Sequence, residues 1–251
     1  MKLLTLADGY GDSMAVPAWY PKYWKWPEII KLMTRHLELV NLSRYGAGNE
    51  FIVNQLKNNI DWPDMVIIQW AQPHRLDLVL AHKDAEFWNN VIASDTVYNS
   101  NVVNCGNDKF WISSASKTEA VRQYHEQYIT MRQHQLRSQI YVDYAKLLLE
   151  QKGIDYRFML VNNSNYLDID ANWICHKPFE GMNEFRYTSK YRHLELGIVQ
   201  PTPLVAFDFI KQYIMPNTDL PWRSDRDIDA VENMLHRHYQ EALKKRNDSN
   251  S

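Results

Sequence analysis

Short apolar runs alternate with helix-spaced apolar positions along the early part of the chain, and that alternation predicts its elements. Lys2-Leu-Leu-Thr-Leu-Ala7 reads as a buried strand that enters a glycine-bearing turn, Asp8-Gly-Tyr-Gly-Asp-Ser13. Met14 to Trp26 sets two prolines among five aromatic residues, a composition that excludes a regular helix or a central strand. It reads as an ordered loop packed by its own rings, either plugging the sheet edge or walling a sugar, base or acyl group. Pro27 suits a first helical turn, and Ile29, Ile30, Leu32 and Met33 recur at helical spacing behind it. Leu37-Glu-Leu-Val-Asn-Leu42 alternates as a strand and runs into Ser43-Arg-Tyr-Gly-Ala-Gly-Asn49. Asn49 can cap the next helix, whose apolar positions are Phe51, Ile52, Leu56 and Ile60. Met65-Val-Ile-Ile-Gln-Trp70 is the strongest strand signal, continuous and β-branched, and it ends in Ala71-Gln-Pro-His-Arg75.

Three βα units of this length imply right-handed crossovers, a parallel sheet and helices on both faces. The expected fold is α/β: a flavodoxin-like, three-layer α/β/α domain with a mostly parallel, doubly wound sheet. It spans residues 1–251, with an insertion at 77–115 over the carboxyl edge of the sheet, including a short helix from Asp84 to Ala93. Ser116-Lys-Thr-Glu119 resembles a capping box and predicts a long helix over 116–151, stopped by Gly153. Tyr124, Tyr128, Met131, Leu136, Ile140, Tyr144 and Leu147 form its apolar stripe, and such a helix can project or pair, so a homo-oligomer through 116–151 is expected. Ile154 to Val161 is the next strand, followed by an irregular segment at 164–200 in which His193 to Val199 is a last short strand or a loop. A helix starts at Thr202, and an amphipathic helix over 224–246 closes the chain.

Composition narrows the picture. Apolar residues make up 45% and charged residues 23% of 251 positions, which is ordinary for a globular protein able to bury a sizeable core. A net charge of −2 argues against nucleic acid or an anionic membrane as a partner, and Arg122, Arg132 and Arg137 read as a solvated helix face. Cys105 and Cys175 match no zinc pattern and suggest no disulfide framework. The first apolar run ends at Asp8 and no run reaches the length of a membrane span, so the expectation is a soluble, cytoplasmic protein. No Gly-rich nucleotide fingerprint, P-loop or metal-spaced His/Asp/Glu cluster is present, so neither a metal nor another cofactor is expected. Asp168 and Asp170 alternate like strand positions facing solvent.

Every predicted strand ends in polar groups: Asp12 and Ser13; Gly48 and Asn49; Gln72, His74 and Arg75 after Trp70; Asn162 and Asn163. Convergence of that kind at one sheet edge is how a doubly wound fold builds a binding site. The Gly11-Asp12-Ser13 triplet after a first strand resembles the opening block of the SGNH (GDSL) hydrolases, with a style also like that of bacteriophage members. The resemblance implies Ser13 as nucleophile and as one oxyanion donor, with Asp12 beside it. Gly48 matches the second-block glycine, a further backbone donor. In the third block Gln72 offers an amide where the family has Asn, on an arm one methylene longer. The fourth block, Asp-x-x-His in the family, reads Gly197-Ile-Val-Gln200, so Gln200 stands where the base would be.

A serine needs a base within hydrogen-bond reach to act as a nucleophile, and glutamine cannot serve. His193, His176 and His74 are the candidate substitutes, and Arg75 suits an anionic group. The sequence therefore favours a serine-dependent hydrolase or acyl transferase acting on an ester, carbohydrate-linked esters included. Trp70, Asn49, His74, Arg75 and Gln200 are its candidate substrate contacts. The alternatives are a catalytically silent SGNH-like ligand-binding or assembly protein, and a transferase that uses a nucleotide-linked donor with Asp12 or a histidine as base.

Overall fold

A computed structural model describes residues 1–8, 24–44, 47–73, 77–80, 102–105, 108–112, 130–160, 167, 170, 172–174, 185–194 and 201–249. Five parallel strands form one sheet: β1 (Lys2–Ala7), β2 (Glu38–Asn41), β3 (Met65–Trp70), β7 (Asp155–Leu160) and β8 (Trp173–Ile174). Their order is β2-β1-β3-β7-β8, the flavodoxin-like arrangement of a doubly wound sheet. Leu3 sits opposite Met65 and Ala7 opposite Gln69; Met65 and Trp70 then register with Asp155 and Leu160.

The strands alternate strictly between two apolar layers, as a pleat with both faces covered requires. Leu3, Ala7, Met65, Ile67 and Met159 face one core, shared with α1 (Trp26–Met33), α4 (Pro203–Phe209) and α5 (Asp225–Ser249). Leu4, Leu6, Val66, Ile68 and Phe158 face the other, shared with α2 (Asn49–Asn59) and α3 (Met131–Lys152). The chain thus leaves β1 on one face and returns to β3 on the other, as constant crossover handedness demands when the strand order reverses.

The described residues within 77–115 are more regular than their sequence suggests. They hold β4 (Asp77–Leu80), β5 (Val102–Cys105) and β6 (Asp108–Ile112), an antiparallel sheet of order β4-β6-β5 lying against α2. The expected helix from Asp84 to Ala93 lies outside the described residues.

The long helix is shorter than its apolar stripe predicts. Thr130 has extended backbone, and its hydroxyl accepts from the Gln133 N–H while the Gln133 side chain accepts from the Thr130 N–H. That reciprocal cap starts α3 at Met131, not at residue 116. Its end is as expected: Gly153 takes the left-handed conformation (φ 64°) and its N–H returns to the carbonyls of the last turn.

Among the described residues the last strand is Trp173–Ile174, inside the segment expected to be irregular; His193 belongs to a run of turns at 186–193, as the loop alternative has it, and 195–199 lie outside the described residues. A turn anchored on Asp170 sets that strand, since Asp170 accepts from the Asn172 and Trp173 N–H groups and the Asn172 carbonyl accepts from Phe158. Two residues carry no readable period. Asp170 is exposed and pairs with Lys146, in keeping with a solvent-facing acid; Asp168 lies outside the described residues. Helix α4 opens on Thr202, whose hydroxyl accepts from the Val205 N–H, and continues as a π-helical stretch (Ile210–Ile214) and a 3-10 turn (Met215–Asn217).

The turns at 186–193 are pinned to α4 and α5. Buried Asp208 accepts from the Ser189 hydroxyl and the Lys190 N–H, while Lys190 Nζ (2.8 Å) and the Tyr191 hydroxyl both donate to Glu232. Burial opposes ionisation of Glu232, yet these two hydrogen bonds leave its carboxyl below its usual value; burial, reinforced by the Glu232 bond, pushes the Tyr191 hydroxyl up to about 12. A carboxyl that ionises more readily folded than unfolded contributes stability that is fully present above its unfolded value and is lost as pH falls through the folded one. Glu232→Gln is therefore expected to lower Tm at about pH 7, with the gap to the parent chain closing below about pH 4. Thermal unfolding at a series of pH values checks this; a gap independent of pH would assign the loss to packing.

Candidate functional site

The reversal of strand order falls between β1 and β3, so the crevice outside their carboxyl ends is where this architecture binds ligands. Asp8 follows β1 directly into that crevice and is fully buried. Backbone bonds draw the exits of the neighbouring strands to the same place. Beyond β2 the chain stays parallel to β1, with the Leu42 N–H donating to the Thr5 carbonyl and the Arg44 N–H to the Ala7 carbonyl, each at 3.0 Å. Gly48, in extended backbone (φ −94°), then starts α2 beside the exit of β3.

Asn49 locks that second junction. Its side-chain oxygen accepts from the Ala71 N–H (2.9 Å), and its amide donates to the Ala71 carbonyl (3.3 Å) and the Ser138 hydroxyl (3.0 Å). One buried amide thereby mimics a strand partner for the residue after β3 and fastens α3 to α2. Its capacity is occupied by the scaffold, whereas the sequence offers it as a substrate contact.

On the α1 side the tips of the strands are polar. Thr5 donates to the Asn41 side chain, and the indole N–H of Trp26 donates to Gln69 Oε1 at 3.0 Å. An indole can only donate, which fixes the Gln69 amide with its oxygen toward Trp26 and its NH₂ turned away. Gln69 is wholly buried and that NH₂ has no acceptor. Trp70, the next residue, points into the opposite core edge-on to Phe158 (5.3 Å), and its buried indole N–H also lacks an acceptor. Each such group costs about 1–3 kcal/mol, so among the described residues two in succession mark the end of β3 as a place where the sheet trades stability for unused donors. Glu28, in the first turn of α1, accepts from the Lys25 N–H (2.7 Å); burial nevertheless keeps its carboxyl above the usual value.

Of the residues the sequence singles out, Gly48, Asn49, Trp70 and Gln72 share this edge, with Gln72 half-buried just past the Asn49 clamp. Trp70, a candidate substrate contact from the sequence, is buried in the core at 1% exposure. His193 is exposed in the turns held by α4 and α5. Ser13, Asp12, His74, Arg75, His176 and Gln200 lie outside the described residues, as do Asn162 and Asn163. Sequence reasoning passed over Asp8 and Gln69; the signal for the latter is a lone amide in an otherwise apolar buried run, Met65-Val-Ile-Ile-Gln-Trp70. Among the described residues no group of three His, Cys, Asp or Glu side chains is placed to hold a metal ion, and no helix is long and apolar enough to cross a membrane.

Asn49→Ala strands the Ala71 N–H and the Ser138 hydroxyl in the core and is expected to cost about 2–3 kcal/mol in denaturant unfolding. A variant as stable as the parent would free Asn49 for ligand binding instead. Comparison with protein-family models, curated proteins and solved structures returns no match to this chain.

Proposed function

We propose that the chain is a divergent SGNH-like hydrolase or acyl transferase that attacks an ester, carbohydrate-linked esters included, through Ser13. One observation carries the reading: the β2-β1-β3 order puts the tip of β1 at the switch point of the sheet, with the chain after β2 and the start of α2 bonded to either side of it. Ser13 follows that tip by five residues, from Asp8 to Ser13. In this reading the Ser13 hydroxyl attacks the ester carbonyl and the alcohol leaves. The oxyanion is met by the Ser13 amide, the Gly48 backbone and Gln72, and water or an acceptor alcohol then takes the acyl group. Asp12 stands beside the nucleophile in the sequence, and the substitute base is sought among His193, His74 and His176, since Gln200 cannot accept the proton. Arg75 and His74 suit an anionic or polar part of the substrate.

The second reading, a protein that keeps the crevice and has lost hydrolysis, is favoured by Gln200 itself. Labelling of the full chain with a fluorophosphonate separates the two. The hydrolase reading expects a covalent adduct on Ser13, located by peptide mass spectrometry. It also expects Ser13→Ala to abolish labelling and lower turnover of p-nitrophenyl acetate at least about a hundredfold. Folded protein that takes no label, yet is stabilised in thermal-shift assays by sugars or nucleotides, gives the function to ligand binding instead.

A further inference from the structure

Helix α3 is apolar on two opposite sides. Its inward face, His134, Ser138, Val142, Ala145 and Leu149, is buried against α2 and the sheet. Two positions away, and so on the far side of the helix, Leu136, Ile140, Tyr144 and Leu147 recur at intervals of four, four and three. These four are 48%, 62%, 40% and 51% exposed. Of the seven large hydrophobic residues exposed among the described residues, five are on α3, so the apolar surface is gathered on this element rather than scattered.

The charges around the stripe indicate its occupant. Arg132 lies one turn before Leu136 and Glu150 one turn after Leu147, both exposed and both on the same flank. The other charges bordering the stripe are engaged within the chain: Arg137 with Glu50 at 3.0 Å, Lys146 with Asp170, and Asp143 with Gln139 at 2.7 Å; Glu150 accepts from the Tyr156 hydroxyl at 3.1 Å but enters no ion pair among the described residues. Arg132 enters no ion pair among the described residues.

We propose that this face binds a second copy of the same chain, α3 against α3, antiparallel about a two-fold axis near the middle of the stripe. In that arrangement Leu136 of one copy meets Leu147 of the other, Ile140 meets Tyr144, and Arg132 meets Glu150 at both ends. The same residues answer each other twice, as an isologous interface requires. A parallel pairing would set Arg132 against Arg132 and Glu150 against Glu150, so charge alone selects the antiparallel form. The paired stripe is about 16 Å long, room for ridges of one helix to seat in the grooves of the other. The proposal is independent of the hydrolase reading, because the stripe is on the outer face of α3, opposite the face packed on α2 and the sheet.

Sedimentation velocity of the full chain over a dilution series tests it. The expected result is a reversible dimer that Ile140→Glu converts to monomer while circular dichroism and the monomer's Tm stay unchanged, the site being solvent-exposed. Arg132→Glu alone is expected to weaken the dimer about tenfold, and Arg132→Glu with Glu150→Arg to restore it. A chain that stays monomeric at about 100 μM, far above the Kd of a specific dimer, overturns the proposal. So does a dimer that Ile140→Glu leaves intact, or one that the charge exchange fails to rescue.

Discussion

Burial of β1 and β3 on both faces is the constraint from which the molecule follows. Each is apolar at nearly every position, so neither can lie at a sheet surface open to water. Helices must cover both sides, and parallel crossovers supply them. With β1 central, β2 takes one of its edges and β3 the other, and the chain has to reverse direction across it. The crevice at the tip of β1 is a by-product of that reversal. It requires no dedicated residue to exist, only residues to make use of it.

Polar groups at that tip divide into those that hold the crevice together and those left over. Asn49 belongs to the first kind: its oxygen and both amide hydrogens are engaged by Ala71 and Ser138. Gln69 belongs to the second. Its oxygen is taken by Trp26, its NH₂ by nothing, and no solvent reaches it. A buried amide half satisfied is a local conflict with the otherwise consistent core, and such conflicts concentrate where a protein meets a ligand. It is a reason to look for the chemistry at this edge that does not depend on any family likeness.

Away from the crevice, α3 answers to two demands at once. Its inner face closes one layer of the core, and small residues such as Ser138 and Ala145 let it approach α2 and the sheet closely. Its outer face is as apolar as its inner one, which explains why the helix has so little net amphipathicity despite lying on the surface. At the other layer, the Lys190–Glu232 and Ser189–Asp208 contacts fasten an irregular segment that no periodic pattern would hold.

The parallel sheet, its first three strands and the helices between them are legible in the residues alone, because these rest on period and on local stop signals: the Leu-rich run at 2–7, the β-branched run at 65–70, Pro27, and Gly153. The sequence also puts Gly48, Asn49 and Gln72 at one edge, since residues just after parallel strands must emerge together. What those residues do is set by contacts made in the folded chain. That Asn49 clamps Ala71, that Trp70 turns into the core, and that Gln69 is left with an idle donor all depend on partners 22 to 89 positions away or on facing helices. The same holds for the two-residue β8 and for the start of α3 at Thr130. One is too short to carry a period, and the other is a cap inside a stripe whose apolar spacing runs on unbroken; long-range packing and side-chain geometry, not local pattern, fix both.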